Sequence, residues 1–244
     1  MKILIVGETG SGKSSSIKTL NPSETFILAV TKRVLPFKGW RKGYKPFNTK
    51  TGKGNHINGI SNYASIMAMM DFVNFKRKDI KTLIIDDLQY VMAFEFMRRA
   101  TEKGYDKFTE MAKQVTDIIQ KADTLRDDLN VIFMTHSENK GSDLTPMYKI
   151  KTIGKLLDEK ITIEGLFDIV LFTNVIENNA EEGDYDYIFL TNTNGACIAK
   201  SPKDMFEELH IPNDLQLVLD KIYEYEYGEL PPKSDNKKEK EEDK

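Results

Sequence analysis

Only one cysteine, Cys197, occurs in the 244 residues, so no disulfide can form within the chain. Long apolar runs are missing as well: nothing approaches the roughly 18 consecutive apolar residues of a membrane-crossing helix. The apolar start "MKILIVG" has only a strand's length, and no charged-then-apolar leader with a small-residue cleavage site stands there. These absences lead to an expectation of a soluble cytoplasmic protein with no membrane contact. His56, His136, His210 and Cys197 show none of the spacings of a zinc site. Acid is missing locally, because no Asp or Glu lies between Glu24 and Asp71. Within that gap, "TKRVLPFKGWRKGYKPFNTKTGKGNH" (31 to 56) carries eight Lys or Arg; the chain is −3 and this stretch +8, so the remainder is −11. Charge segregated in this way asks for an anionic partner.

What is present suffices for one folded α/β domain, with 40% hydrophobic residues. "KILIV" is a continuous apolar run ending in glycines, the pattern of a buried parallel strand before a turn. "SSSIKTL" reads as a short helix, "TFILAV" (25 to 30) as a second buried strand, and most of the basic stretch after it as loop. Residues 60 to 76 have apolar positions at helical spacing, Ile66, Met69, Met70 and Val73, and lead into "KTLIIDD" (81 to 87), a third buried strand with two acids at its end. Residues 90 to 129 read as two helices meeting near Gly104, and "NVIFMTH" (130 to 136) as a fourth strand. Strands alternating with helices imply a mostly parallel central sheet flanked by helices. After a polar loop (137 to 150), "DIVLFTNVIE" and "YDYIFLTNTNG" are joined by the turn residues "NNAEEGD", which predicts an antiparallel C-terminal hairpin at the sheet edge. A last helix is expected from about 213 to 225. The expected organisation is one domain over 1–228 and a charged tail over 229–244, where "KSDNKKEKEEDK" balances five Lys against five acids with no apolar residue.

"GETGSGKS" (7 to 14) matches G-x-x-x-x-G-K-[ST], the P-loop, between a strand and a helix as its mechanism requires. Gly7, Gly10 and Gly12 let the backbone curl so that the N–H groups of Glu8, Thr9, Ser11 and Ser15 and their neighbours face phosphate oxygens. Lys13 would reach the β- and γ-phosphates of ATP, and the Ser14 hydroxyl would ligate Mg²⁺. Asp86 at the end of "LIID" is the carboxylate expected to hold Mg²⁺ through its water shell. Asp87 either orients the attacking water or caps the helix that follows. Thr135 and His136 end their strand where a sensor of the γ-phosphate belongs, and His136 is taken as that sensor; the alternative is a histidine bonded to its own loop.

In this order, strand, P-loop, strand, carboxylate strand and sensor strand resemble the RecA-like branch of P-loop ATPases. Together with "KRVLPFKGW", "NVIFMTHSE", "KTIGKLLDEKITIEGLF" and "TNTNGACIAKSPKDMFE", the chain resembles, over about 1 to 210, phage-encoded ATP-binding proteins with a RecA-like core that serve single-strand annealing and recombination. The resemblance implies an Mg²⁺-dependent ATPase acting on single-stranded DNA, a homo-oligomer, and a single-strand-binding or replication protein as a further partner. RecA-like enzymes commonly place a catalytic Glu at the end of the strand before the carboxylate strand, whereas this chain has Thr31, Lys32 and Arg33 there. Asp87 would substitute, or ATP would act as a slowly hydrolysed switch. Lys155 in "TIGKLL" is a candidate finger toward a neighbouring subunit's γ-phosphate, or else a solvated lysine. In the basic stretch, Lys32, Arg33, Lys38, Arg41, Lys42 and Lys45 would track a nucleic-acid backbone while Trp40 and Tyr44 stack on bases. Lys32 and Arg33 have a second reading as nucleotide contacts, since strand ends in such folds face the ligand. Two rivals remain: a non-hydrolysing mediator or helicase loader, and a small-molecule kinase, against which the loop 137 to 150 offers no lid arginine.

Overall fold

The computed structural model describes residues 1–142, 144–152, 161–179 and 184–231. Its strands are β1 (Lys2–Gly7), β2 (Thr25–Ala29), β3 (His56–Asn58), β4 (Thr82–Asp86), β5 (Asn130–Asn139), β6 (Tyr148–Ile150), β7 (Ile169–Asn179), β8 (Asp184–Leu190) and β9 (His210–Pro212). The helices are α1 (Trp40–Gly43), α2 (Tyr63–Lys76), α3 (Gln89–Arg98), α4 (Asp106–Lys121) and α5 (Leu215–Tyr227). One sheet runs in the order β3-β2-β4-β5-β1-β7-β8-β9, with β6 paired to β5. From β3 to β7 every neighbour is parallel, and β7-β8-β9 form an antiparallel edge.

The parallel strands read as unbroken apolar runs because both faces of the sheet are covered. Along β1, Leu4 and Val6 enter one core with Ile66, Met70 and Val73 of α2, Val91 and Met92 of α3, and Ile118 and Ile119 of α4. Ile3 and Ile5 enter the opposite core with Ile17, Tyr44 and Leu215, Val218 and Ile222 of α5. Each such aliphatic burial is worth about 1.5–3 kcal/mol, so the two faces together hold β1 and its loop in place. Helix starts follow local chemistry. Asn62 Oδ1 accepts from the Ser65 N–H at 3.1 Å at the head of α2, and Asp214 Oδ1 from the Leu217 N–H at 3.0 Å at the head of α5.

The expected parallel core, the α3–α4 pair broken at Gly104 (φ 98°), the terminal hairpin and the final helix are all present. Three local expectations change. "SSSIKT" (Ser14–Thr19) is a short 3-10 helix, the basic stretch holds the short helix α1 and runs at His56 into the edge strand β3, and the supposed polar loop after His136 begins with the rest of β5 and ends in β6. Residues 232 to 244 of the tail lie outside the described residues. Among the described residues no helix is long and apolar enough to cross a membrane.

Candidate active site

Strand register brings the chemistry to one edge of the sheet, the carboxyl ends of the parallel strands. Gly7 of β1 pairs with His136 of β5, Ala29 of β2 with Asp86 of β4, and Val6 with Phe172 of β7, which puts Thr173 beside the start of the P-loop. Strand β5 lies between the P-loop strand and the carboxylate strand, so His136 stands between Gly7 and Asp86.

The loop backbone depends on glycine twice for conformation, with φ of 84° at Gly10 and 98° at Gly12. Gly7 is needed for room: a Cβ there would stand 1.9 Å from Thr173 Oγ1. Thr173 uses that space to reach Ser11 Oγ at 2.5 Å and the Val6 carbonyl at 3.2 Å, tying the loop to β7. Lys13 folds back over the loop, its Nζ donating to the carbonyls of Gly7 at 2.8 Å and Glu8 at 2.6 Å. Burial is the main influence on its ammonium and lowers its pKa to about 8, against the raising effect of Asp86 and Asp87. A charged group held this way gains by moving onto phosphate oxygens.

Ser14 Oγ donates to Asp86 at 3.0 Å (Oδ2) and 3.2 Å (Oδ1). Burial, then the neighbouring Asp87, pushes the Asp86 carboxyl up to about 6, with Ser14, Arg33 and Lys13 opposing. A hydroxyl and a buried, destabilised carboxylate facing one another are the oxygen donors a small hard dication takes. The residues present therefore fit Mg²⁺, with Ser14 and Asp86 to hold it; bound there, the ion would neutralise charge on the β- and γ-phosphates. No group of three or more His, Cys, Asp or Glu suited to a metal occurs among the described residues.

Asp87 is buried and has a left-handed backbone with φ 66°, a conformation costing about 1–3 kcal/mol that tends to occur at functional sites. Its side chain does not cap α3. The carboxylate turns instead to Thr31 Oγ1, which donates to Oδ2 at 2.5 Å, to the Arg33 guanidinium on the same oxygen, and to His136 Nε2, 3.4 Å from Oδ1. Burial alone would raise this carboxyl, but the hydrogen bonds from His136, Thr31 and Arg33 prevail and hold it well below the usual carboxylate range. On its other side, His136 Nδ1 meets Thr9 Oγ1 at 3.3 Å, so the histidine bridges the P-loop and the second carboxylate. The ring hydrogen-bonds across to Thr9 and Asp87 and not to its own loop among the described residues. Gln89 Oε1 accepts from Thr135 Oγ1 at 3.1 Å and steadies the end of β5.

The basic stretch divides. Arg33 pairs with Asp87 at the carboxyl-end edge of the sheet while 54% of its side chain stays exposed, so it is within reach of the P-loop site and also open to solvent. Tyr44 is corrected outright: it is 2% exposed, packs in the core below α1, and points its hydroxyl toward the Ile17 carbonyl, so it offers no face for a base. Burial pushes its phenol up to about 12. Trp40 is half-buried, edge-on to His56, with the Arg41 guanidinium 4.6 Å from its ring centre. Lys32, Lys38, Arg41, Lys42 and Lys45 are exposed. Lys45 and Lys53 reach the opposite, amino-terminal edge of the sheet, lining a cleft with Arg77. Lys155 lies outside the described residues. Sequence reading named Thr31 only as standing in place of an acid and missed Thr173; Thr31 lies two residues past β2, and Thr173 lies within β7 beside the P-loop. It also missed Tyr187 and Asn213, whose side chains would stand 2.8 and 3.2 Å from a Cβ at Gly12. The only signal for Thr31 and Thr173 is a polar residue just past an apolar run, and which runs adjoin the P-loop is known only from the strand order; Tyr187 and Asn213 carry no such signal.

A curled glycine loop with a buried lysine, a serine facing a strand-end aspartate, and a parallel sheet that gathers them at one edge define a P-loop nucleotide-binding protein. The model of the AAA domain family matches residues 1–203, and the chain belongs to that family of P-loop ATPases. Comparison with curated proteins gave no match.

Proposed function

We infer that the protein binds Mg·ATP and hydrolyses it while acting on single-stranded DNA, as a RecA-like, homo-oligomeric ATPase of phage recombination or replication. The observation that carries the nucleotide half is the pairing of Ser14 with Asp86 beside Lys13, which supplies donors for the metal and for phosphate at one point. In hydrolysis, a water oxygen bonds to the γ-phosphorus as the bond to the β,γ-bridging oxygen breaks. ADP leaves with the electron pair, and in this reading Asp87, once released from a present partner, orients the water and takes up its proton. Burial of Lys13 and Asp86 keeps the charge that meets the phosphate and the charge that would hold the metal poorly solvated, which strengthens both.

The DNA half rests on the sequence resemblance and on the exposed Lys38, Arg41, Lys42 and Lys45 around Trp40. The expected result is phosphate release stimulated by single-stranded DNA, with Arg41→Ala plus Lys42→Ala lowering DNA affinity and reducing the slope of log affinity against log salt by about 1.4, or about 0.7 per lost contact. ATP binding should persist in that variant. A salt dependence equal to wild type would remove this surface from the DNA contact.

A second reading, an ATP-dependent mediator or loader that does not turn over, is favoured by one observation: Asp87 has its oxygens engaged by Thr31, Arg33 and His136. Tight ATP binding with no phosphate release, with or without DNA, would select it.

A further inference from the structure

We propose that Arg33 is a γ-phosphate ligand acting within its own subunit, parked on Asp87 until the nucleotide arrives, and that its transfer to phosphate frees Asp87 to hold the attacking water. The inference rests on the Mg·ATP reading above and adds a residue to it.

Three observations carry it. Arg33 stands four residues past the end of β2, which lies beside Asp86 through the pairing of Ala29 with Asp86, and its guanidinium reaches Asp87 at the mouth of the phosphate site. Its backbone is fixed, with the Arg33 N–H donating to Asn58 Oδ1 at 3.0 Å, while 54% of its side-chain surface is exposed. The guanidinium can therefore change partner without the strand moving. Finally, Asp87 is committed as it stands. Oδ2 takes both Thr31 and Arg33, Thr31 Oγ1 is itself held by Arg33 Nε at 2.9 Å, and Oδ1 faces His136. Three of the carboxylate's four lone-pair sites are thus engaged, both of those on Oδ2 among them, and Arg33 is the partner that can leave. Thr31 is anchored by the strand end, and His136 by β5.

A γ-phosphate carries more charge and more acceptor oxygens than a carboxylate and matches the guanidinium fork. Arg33 thus has a stronger partner only when the third phosphate is present, and ADP gives it no reason to move. The same position explains why a basic residue stands where a glutamate would be expected: the chain splits the water-holding and charge-neutralising roles between Asp87 and Arg33.

The test compares the affinities of Mg·ADP and a Mg-bound non-hydrolysable ATP analogue, both fluorescent, in wild type, Arg33→Ala, Arg33→Lys, Asp87→Asn and the Arg33→Ala, Asp87→Asn double variant. Wild type should prefer the analogue. Arg33→Ala should lose that preference by about tenfold or more while ADP affinity stays within about twofold, since a hydrogen-bonded charge is lost only with the γ-phosphate present. Arg33→Lys should restore part of it. Asp87→Asn should tighten analogue binding by releasing Arg33, and that gain should vanish in the double variant. An analogue-to-ADP ratio unchanged in Arg33→Ala overturns the proposal while leaving nucleotide binding at the P-loop intact. Equal weakening of both nucleotides also overturns it, by making Arg33 a prop for the end of β2. Failure of wild type to bind either nucleotide overturns both this inference and the reading beneath it.

Discussion

Lys13→Ala should lower ATP hydrolysis by about 100-fold or more, the scale set by removing a preorganised charge from a buried transition state. Lys13 is the cation whose Nζ already lies along the loop, on the Gly7 and Glu8 carbonyls, and burial has lowered its pKa to about 8. Phosphate would be its best-matched partner in the site, so both binding and turnover should fall. The Glu8 carbonyl keeps the Ser11 hydroxyl as donor at 2.7 Å, but the Gly7 carbonyl loses its lysine donor in the variant, which costs about 1–3 kcal/mol if it is left dry. Melting temperatures and a companion Lys13→Met, which keeps the aliphatic stem, therefore belong in the same experiment. Hydrolysis at the wild-type rate in a folded Lys13→Ala protein would show that the phosphates bind elsewhere.

Gly7→Ala is expected to disrupt the P-loop and its seam with β7. The added carbon would stand 1.9 Å from Thr173 Oγ1, 2.7 Å from Ser11 Oγ and 3.0 Å from the Thr173 carbonyl oxygen. Side chains can turn away, but the carbonyl belongs to β7, which is paired to β1, so the strands or the loop must separate. Overpacking of this kind costs about 1–3 kcal/mol, and the loop that moves is the one that holds phosphate. Nucleotide affinity should fall together with the melting temperature. Adding Thr173→Ala removes the closest clash and should recover part of both, leaving the carbonyl contact as the remainder. A Gly7→Ala protein that melts and binds like wild type would mean that β1 and β7 are not packed this closely.

These effects turn on contacts that the sequence reveals unevenly. "KILIVG", "TLIID" and "NVIFMTH" are legible as strands because burial on both faces demands unbroken apolar runs, and the P-loop is legible because its chemistry fixes residue types at fixed spacing. Three-residue strands such as β3 and β6 have no such demand, since backbone pairing alone makes them. Arg33 and Tyr44 stand eleven positions apart in one uniformly basic, aromatic stretch, yet one faces the phosphate edge and the other the core. Periodicity is absent there, so direction is set by tertiary contacts: Asp87 draws Arg33, and the cavity under Ile17 and α5 takes the Tyr44 ring. Asp87 was legible as a candidate beside Asp86, but its left-handed backbone and three partners follow from the turn between β4 and α3 and from strands that lie far apart in sequence.

The central claim, that Lys13, Ser14 and Asp86 form an Mg·ATP site, is tested most directly by titration calorimetry of ATP into the full chain, with Mg²⁺ and with Mg²⁺ chelated. The account predicts a single saturable site whose affinity falls by about tenfold or more when Mg²⁺ is chelated, and an Asp86→Ala protein that has lost this metal dependence while remaining folded. Metal-dependent ATP binding equal to wild type in Asp86→Ala, or no binding of ATP by the wild-type chain, would contradict it.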